Sequence, residues 1–204
     1  MKTINFCGDS FCARDASDED KLKYSWTSLL ANKLNYKIIG GGKSGAAYEH
    51  AIKSFNDKAD ITIFCWTDAD RIHNEKYAIF LGVKRVAAKE YNYPYTGNNE
   101  DLNSIYKAAD YYYNYLHDSS LSKLRYMREL YWFDQVILSK YKGTIVHISC
   151  FHTIYQFTNG INIPGLLYWF PLSRKGSDKE EIVNHLTVPE NIKLANKIYK
   201  VLNK

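Results

Sequence analysis

The chain has 204 residues, of which 46% are hydrophobic and 24% charged, a balance that suits one folded domain and excludes disorder. Its 27 Lys and Arg outnumber 22 Asp and Glu for a net charge of +5, but the basic residues are scattered. That pattern argues against a nucleic-acid or membrane-surface partner. Cys7, Cys12, Cys65 and Cys150 have no CxxC spacing, and the histidines no metal-ligand spacing, so neither a metal, a disulfide framework nor a cofactor is expected. No apolar run reaches transmembrane length, and no secretory signal is visible, so a cytoplasmic protein is expected.

Residues 3–8 form a continuous apolar run with strand character, ended by Gly8-Asp9-Ser10. Trp26, Leu29, Leu30 and Leu34 recur at helical spacing, and 36–39 reads as a second strand, closed by three glycines at 40–42. Residues 46–55 read as a helix and 60–66 as a third strand. This β-α-β-α-β alternation predicts a parallel sheet covered by helices on both faces: a three-layer α/β/α sandwich with a flavodoxin-like sheet of about five strands.

Residues 79–90 carry a helical pattern, and 91–99 have loop chemistry. Two helices are predicted over 101–117 and 119–141, the second with Ser119 or Ser120 as N-cap. A strong strand follows at 144–150, then a loop containing Asn159-Gly160 and a short last strand at 165–170. Pro189 opens a terminal helix whose Ile192, Leu194, Ala195, Ile198 and Leu202 form one apolar stripe. The chain reads as one domain over 1–204 with a Tyr-rich helical insertion at about 72–120. Its tyrosines are either helix-packing material or an aromatic wall over the sheet's open edge.

In a parallel sheet the loops after successive strands open on one edge. Four segments thus converge there: Ser10 after the first strand, the 40–45 glycine loop after the second, Thr67-Asp68-Ala69-Asp70-Arg71 after the third, and His185 before the last helix. A Ser hydroxyl needs a base, and His is suited to that at neutral pH. A developing oxyanion needs N–H or hydroxyl donors, which glycine loops present readily.

The chain here resembles the SGNH (GDSL-type) hydrolases, in a phage-type variant. The resemblance rests on Gly8-Asp9-Ser10, Gly42-Lys43-Ser44-Gly45, Cys65-Trp66-Thr67-Asp68 and Asn184-His185. It implies that Ser10 is the nucleophile, Gly42 an oxyanion donor and His185 the base. Three positions depart from the family pattern, the first being Cys65, where a Gly is usual. Thr67 stands where an oxyanion Asn is usual, and Ile182 where the family carries the Asp that orients His. Arg71 could supply the missing positive charge, and Asn184 or a backbone carbonyl could orient the imidazole. Asp9 reads as a turn-former or backbone acceptor, and Asp68, Asp70 and Arg71 as a structural ion pair. The expected activity is hydrolysis of a small-molecule or glycan ester, a carbohydrate O-acetyl or short-chain acyl ester. The alternative is a catalytically impaired glycan-binding protein on the same scaffold.

Overall fold

Continuous apolar runs become the strands of a parallel sheet because both faces must be covered. The computed structural model describes residues 1–14, 22–74, 79–81, 99–151, 155–163, 165, 182–183 and 185–204. Strand β1 (Thr3–Gly8) lies beside β2 (Lys37–Ile38) on one side and β3 (Ile61–Trp66) on the other. The sheet continues through β6 (Thr144–Ser149) and β7 (Ile161–Ile163), giving the order β2-β1-β3-β6-β7 with every pair parallel. All six residues of β3 are buried, as expected of a strand packed on both sides.

Alternate side chains of these strands feed two cores. Ile4, Phe6, Ile63, Cys65, Val146 and Ile148 meet Trp26, Leu30 and Ala31 of α1 (Trp26–Leu34), and Leu194, Ala195 and Ile198 of α5 (Val188–Leu202). On the opposite face Cys7, Phe64 and Trp66 meet Tyr48 and Ala51 of α2 (Tyr48–Lys53), and Tyr126 and Leu130 of α4 (Ser119–Trp132). The expected three-layer α/β/α arrangement with a flavodoxin-like sheet is what forms. Helix α5 starts as its sequence dictates: Thr187 and Glu190 make a reciprocal capping box, with proline in the first turn.

Several local expectations give way. Ile79–Leu81, expected as the start of a helix, is strand β5, paired antiparallel with β4 (Ile72–Asn74). A short apolar run looks alike in either state, and pairing with a neighbour decides it. Residues 82–98 lie outside the described residues. The fifth strand of the sheet is β7, directly after Gly160, whose φ of +114° permits the turn; of the expected strand at 165–170 only Gly165 is described. Helix α3 (Asn99–Tyr111) runs into a π-type turn, Tyr112–Leu116. Asp118, and neither Ser119 nor Ser120, caps α4 by accepting from the Leu121 N–H at 2.9 Å. Among the described residues no helix is long and apolar enough to cross a membrane.

Candidate functional site at the carboxyl edge of the sheet

The chain leaves β1 toward β2 on one side and β3 on the other, so a crevice opens beyond the carboxyl end of β1. Ser10 sits there, in a tight turn. The Cys12 N–H donates to the Asp9 carbonyl (3.1 Å), and the Phe11 N–H to Asp9 Oδ1 (3.1 Å). Asp9 is fully buried and acts as the expected backbone acceptor.

Glycine at positions 8 and 42 is a matter of space. A Cβ on Gly8 would lie 2.4 Å from the Cys65 carbonyl oxygen, and one on Gly42 2.5 Å from the Asp9 carbonyl oxygen. Strand end and glycine loop thus touch through bare backbone. Gly42 does not serve as the expected oxyanion donor in this arrangement. Its N–H already donates to the Cys12 carbonyl at 3.0 Å, and one N–H has one proton to give.

His185 arrives from the far end of the sequence. Strands β8 (Ile182–Val183) and β9 (Leu186–Thr187) pair antiparallel, and His185 lies in the turn between them. His185 takes φ +65° there, the left-handed conformation that such turns require. Its Nε2 lies 2.7 Å from Ser10 Oγ, and its ring packs 5.1 Å from that of Phe11. Asn184 lies outside the described residues. Ile182 is in β8, which leaves the usual position of an orienting Asp inside the hairpin strand.

Thr67 follows β3 directly. It is buried, and its Oγ1 has no hydrogen-bond partner among the described residues. A buried hydroxyl left unpaired is costly, roughly 1–3 kcal/mol, and so invites a functional explanation. The Thr67 carbonyl accepts from the Tyr126 hydroxyl at 3.3 Å, which fixes the backbone around it.

The expected ion pair takes a different partner. Arg71 Nη1 lies 3.2 Å from Asp9 Oδ2, in charge contact without hydrogen-bond alignment, and donates to the Ala46 carbonyl at 2.9 Å. One guanidinium thereby touches the loops after β1 and β2 from its own loop after β3. Asp70 instead accepts from Ser119 (2.9 Å) and approaches His117 Nε2 (3.2 Å), while Asp68 Oδ1 accepts the Asp70 N–H at 3.4 Å. These two carboxylates organise the loop beside the site.

Beneath the turn, Cys12, Cys65 and Cys150 are fully buried free thiols. Burial pushes the Cys65 thiol well up and the Cys150 thiol up to about 12, so both remain protonated and poor nucleophiles. A cavity of about 260 Å³ adjoins Arg71 and is lined also by Tyr48, Glu49, Tyr112 and His117. Burial raises the Glu49 carboxyl to about 7. A larger cleft of about 460 Å³ opens at the other end of the strands, beside Lys2, Asp60 and Thr144, away from Ser10.

Sequence reasoning passed over Trp26 and Asn191, which bind the turn and the hairpin into one unit. Asn191 carried a usable signal: it is three residues before Leu194 and four before Ala195, a polar residue on the apolar stripe of α5. Trp26 looked like core alone.

The strand order makes this an α/β protein with a flavodoxin-like sheet. No family model matches the chain, and neither does any curated protein. A crystal structure of a Bacteroides ovatus protein, provisionally described as a GDSL-like lipase, is similar at 17% identity, over 63% of this chain and 99% of that one, with a TM-score of 0.27. So loose a superposition carries no argument about the chemistry.

Proposed function

We propose that the protein is a serine ester hydrolase of the SGNH (GDSL) type, using a Ser10–His185 pair. One observation carries the reading: two groups 175 residues apart meet at 2.7 Å beyond the carboxyl end of β1. In the reaction Ser10 Oγ attacks the acyl carbon while its proton passes to His185 Nε2. The tetrahedral anion takes hydrogen bonds from the Ser10 N–H and the Thr67 hydroxyl. Collapse expels the alcohol, which leaves with the proton from His185. Water, deprotonated by His185, then attacks the acyl-enzyme and releases the acid and free Ser10. The unpaired Thr67 hydroxyl supports its part as donor. The substrate class is a carbohydrate O-acetyl or short-chain acyl ester, and the Tyr112 ring beside the 260 Å³ cavity suits a sugar face.

A fluorophosphonate probe tests this directly. Labelling of the native protein that vanishes in Ser10→Ala and in His185→Ala is expected, together with turnover of short-chain or acetylated-sugar esters. A second reading, a catalytically impaired glycan-binding protein, is favoured by the commitment of the Gly42 N–H to Cys12 and by the short reach of Thr67. Absence of labelling with glycan binding retained would select it.

A further inference from the structure

We propose that Asn191 is a positioning residue that sets His185 against Ser10, acting through Trp26. The proposal rests on Ser10 and His185 working as nucleophile and base.

Ser10 and His185 are held by elements with no covalent link shorter than most of the chain. A single side-chain contact is worth about 1 kcal/mol net and cannot by itself fix two such elements. Asn191, on α5 and fully buried, supplies the missing frame. Its Nδ2 faces the carbonyls of Val183 (3.0 Å), Leu186 (3.1 Å) and Thr187 (3.1 Å). Those carbonyls flank the turn that carries His185 on both sides. An amide has two N–H protons, so three acceptors share two donors and the hairpin is gripped at both strands.

The other end of the same side chain reaches the nucleophile. Asn191 Oδ1 accepts the Trp26 N–H at 2.8 Å, at the start of α1. Trp26 Nε1 in turn donates to the Phe11 carbonyl at 2.6 Å, one residue past Ser10. The path from base to nucleophile is thus hairpin carbonyls, Asn191, Trp26, Phe11. The ring of Trp26 is itself fixed, packed edge-on to Phe6 at 5.3 Å and fully buried. Every polar atom on the path is paired, so it has one arrangement and not several. Since the amide's oxygen meets a donor and its nitrogen meets acceptors, no other residue type of this size satisfies both ends. Asp would place an acceptor against three carbonyls, and Leu would remove both the acceptor at Trp26 and the donors to the hairpin.

The test uses the full chain and two variants that cut the path at different points. Asn191→Asp keeps the shape and the Trp26 acceptor but removes the donors to the hairpin; Trp26→Phe keeps an aromatic ring but removes the donor to Phe11. Ile198→Ala, a buried α5 substitution away from the hairpin, controls for mere destabilisation. With protein folded by circular dichroism, kcat and KM are measured on p-nitrophenyl acetate. The His185 ring resonance, assigned by its loss in His185→Ala, is followed by NMR. Misplacement of the base predicts a kcat about 30- to 100-fold lower with KM within about 2-fold. A displaced His185 resonance in both path variants is also expected, and neither change in Ile198→Ala. Unchanged kcat and resonance in either folded path variant overturns the proposal. If Asn191→Asp does not fold, Trp26→Phe decides alone. If the native protein hydrolyses no ester, the hydrolase reading fails by itself. The resonance then decides the tether, a shift in the path variants supporting it and no shift refuting it.

Discussion

Replacing Thr67 by Val separates stability from catalysis at one atom. Thr67 is buried and its Oγ1 is unpaired among the described residues. Valine keeps the branched shape and removes only the polar atom. An unpaired buried hydroxyl costs roughly 1–3 kcal/mol, so Thr67→Val is expected to be more stable by about 1 kcal/mol once partial compensation is allowed. An oxyanion donor is worth about 2.7–4 kcal/mol of barrier, a factor of roughly 100 to 1,000 in kcat. The same change should therefore raise the urea midpoint and nearly abolish ester turnover, while fluorophosphonate still labels Ser10 at a reduced rate. A pure structural role predicts the opposite, with stability falling and turnover falling only in proportion to the unfolded fraction. Thr67→Val with unchanged kcat refutes the assignment of that hydroxyl to the oxyanion.

Two further outcomes follow from packing. His147 is buried, its Nδ1 accepts from the Trp66 indole N–H at 3.0 Å and its Nε2 faces the Asn159 carbonyl at 2.9 Å, so only the neutral ring fits. Burial lowers its pKa from 6.5 to about 4, and the unfolded chain therefore binds this proton first as pH falls. The associated stability is complete above about pH 6.5 and is lost between there and about pH 4, roughly 3 kcal/mol in all. Urea midpoints across that window should fall more steeply for the native protein than for His147→Phe, and parallel slopes would contradict the assignment. Gly42→Ala forces a Cβ to within 2.5 Å of the Asp9 carbonyl and 2.6 Å of Cys12 Sγ, so the Ser10 turn must shift. A loss of about 1–3 kcal/mol in urea unfolding, with a disproportionate loss of turnover, is expected; unchanged values for both would show that the two loops are not in register.

The sequence carried the sheet almost entirely, since uninterrupted apolar strands such as 61–66 can exist only between two helical layers. It also carried the edge at which Ser10 lies, because parallel strands leave no choice about where their loops open, whereas His185 reaches that edge on an antiparallel hairpin. What it could not carry was the fate of individual protons. The Gly42 N–H looks free in a glycine run and is spent on Cys12, because the chain after β1 turns back to pair with that loop at Ala13 and Gly42. Arg71 has acidic neighbours in sequence at 68 and 70 yet contacts Asp9, across a boundary between strands that no local pattern encodes. Short irregular strands were the other blind spot: three residues at 79–81 or at 161–163 have too little periodicity to outweigh a neighbouring partner.

The hydroxyl and imidazole at the sheet edge are separated by 175 positions. Closing so long a stretch of flexible polymer costs roughly 5 kcal/mol of entropy, several times what one such contact returns. The two groups therefore meet only while α1 and α5 lie together on their face of the sheet. On the hydrolase reading, turnover gauges that docking: freeing the first turn of α5, which carries Asn191, should silence the chemistry before spectroscopic signals of the sheet begin to fade.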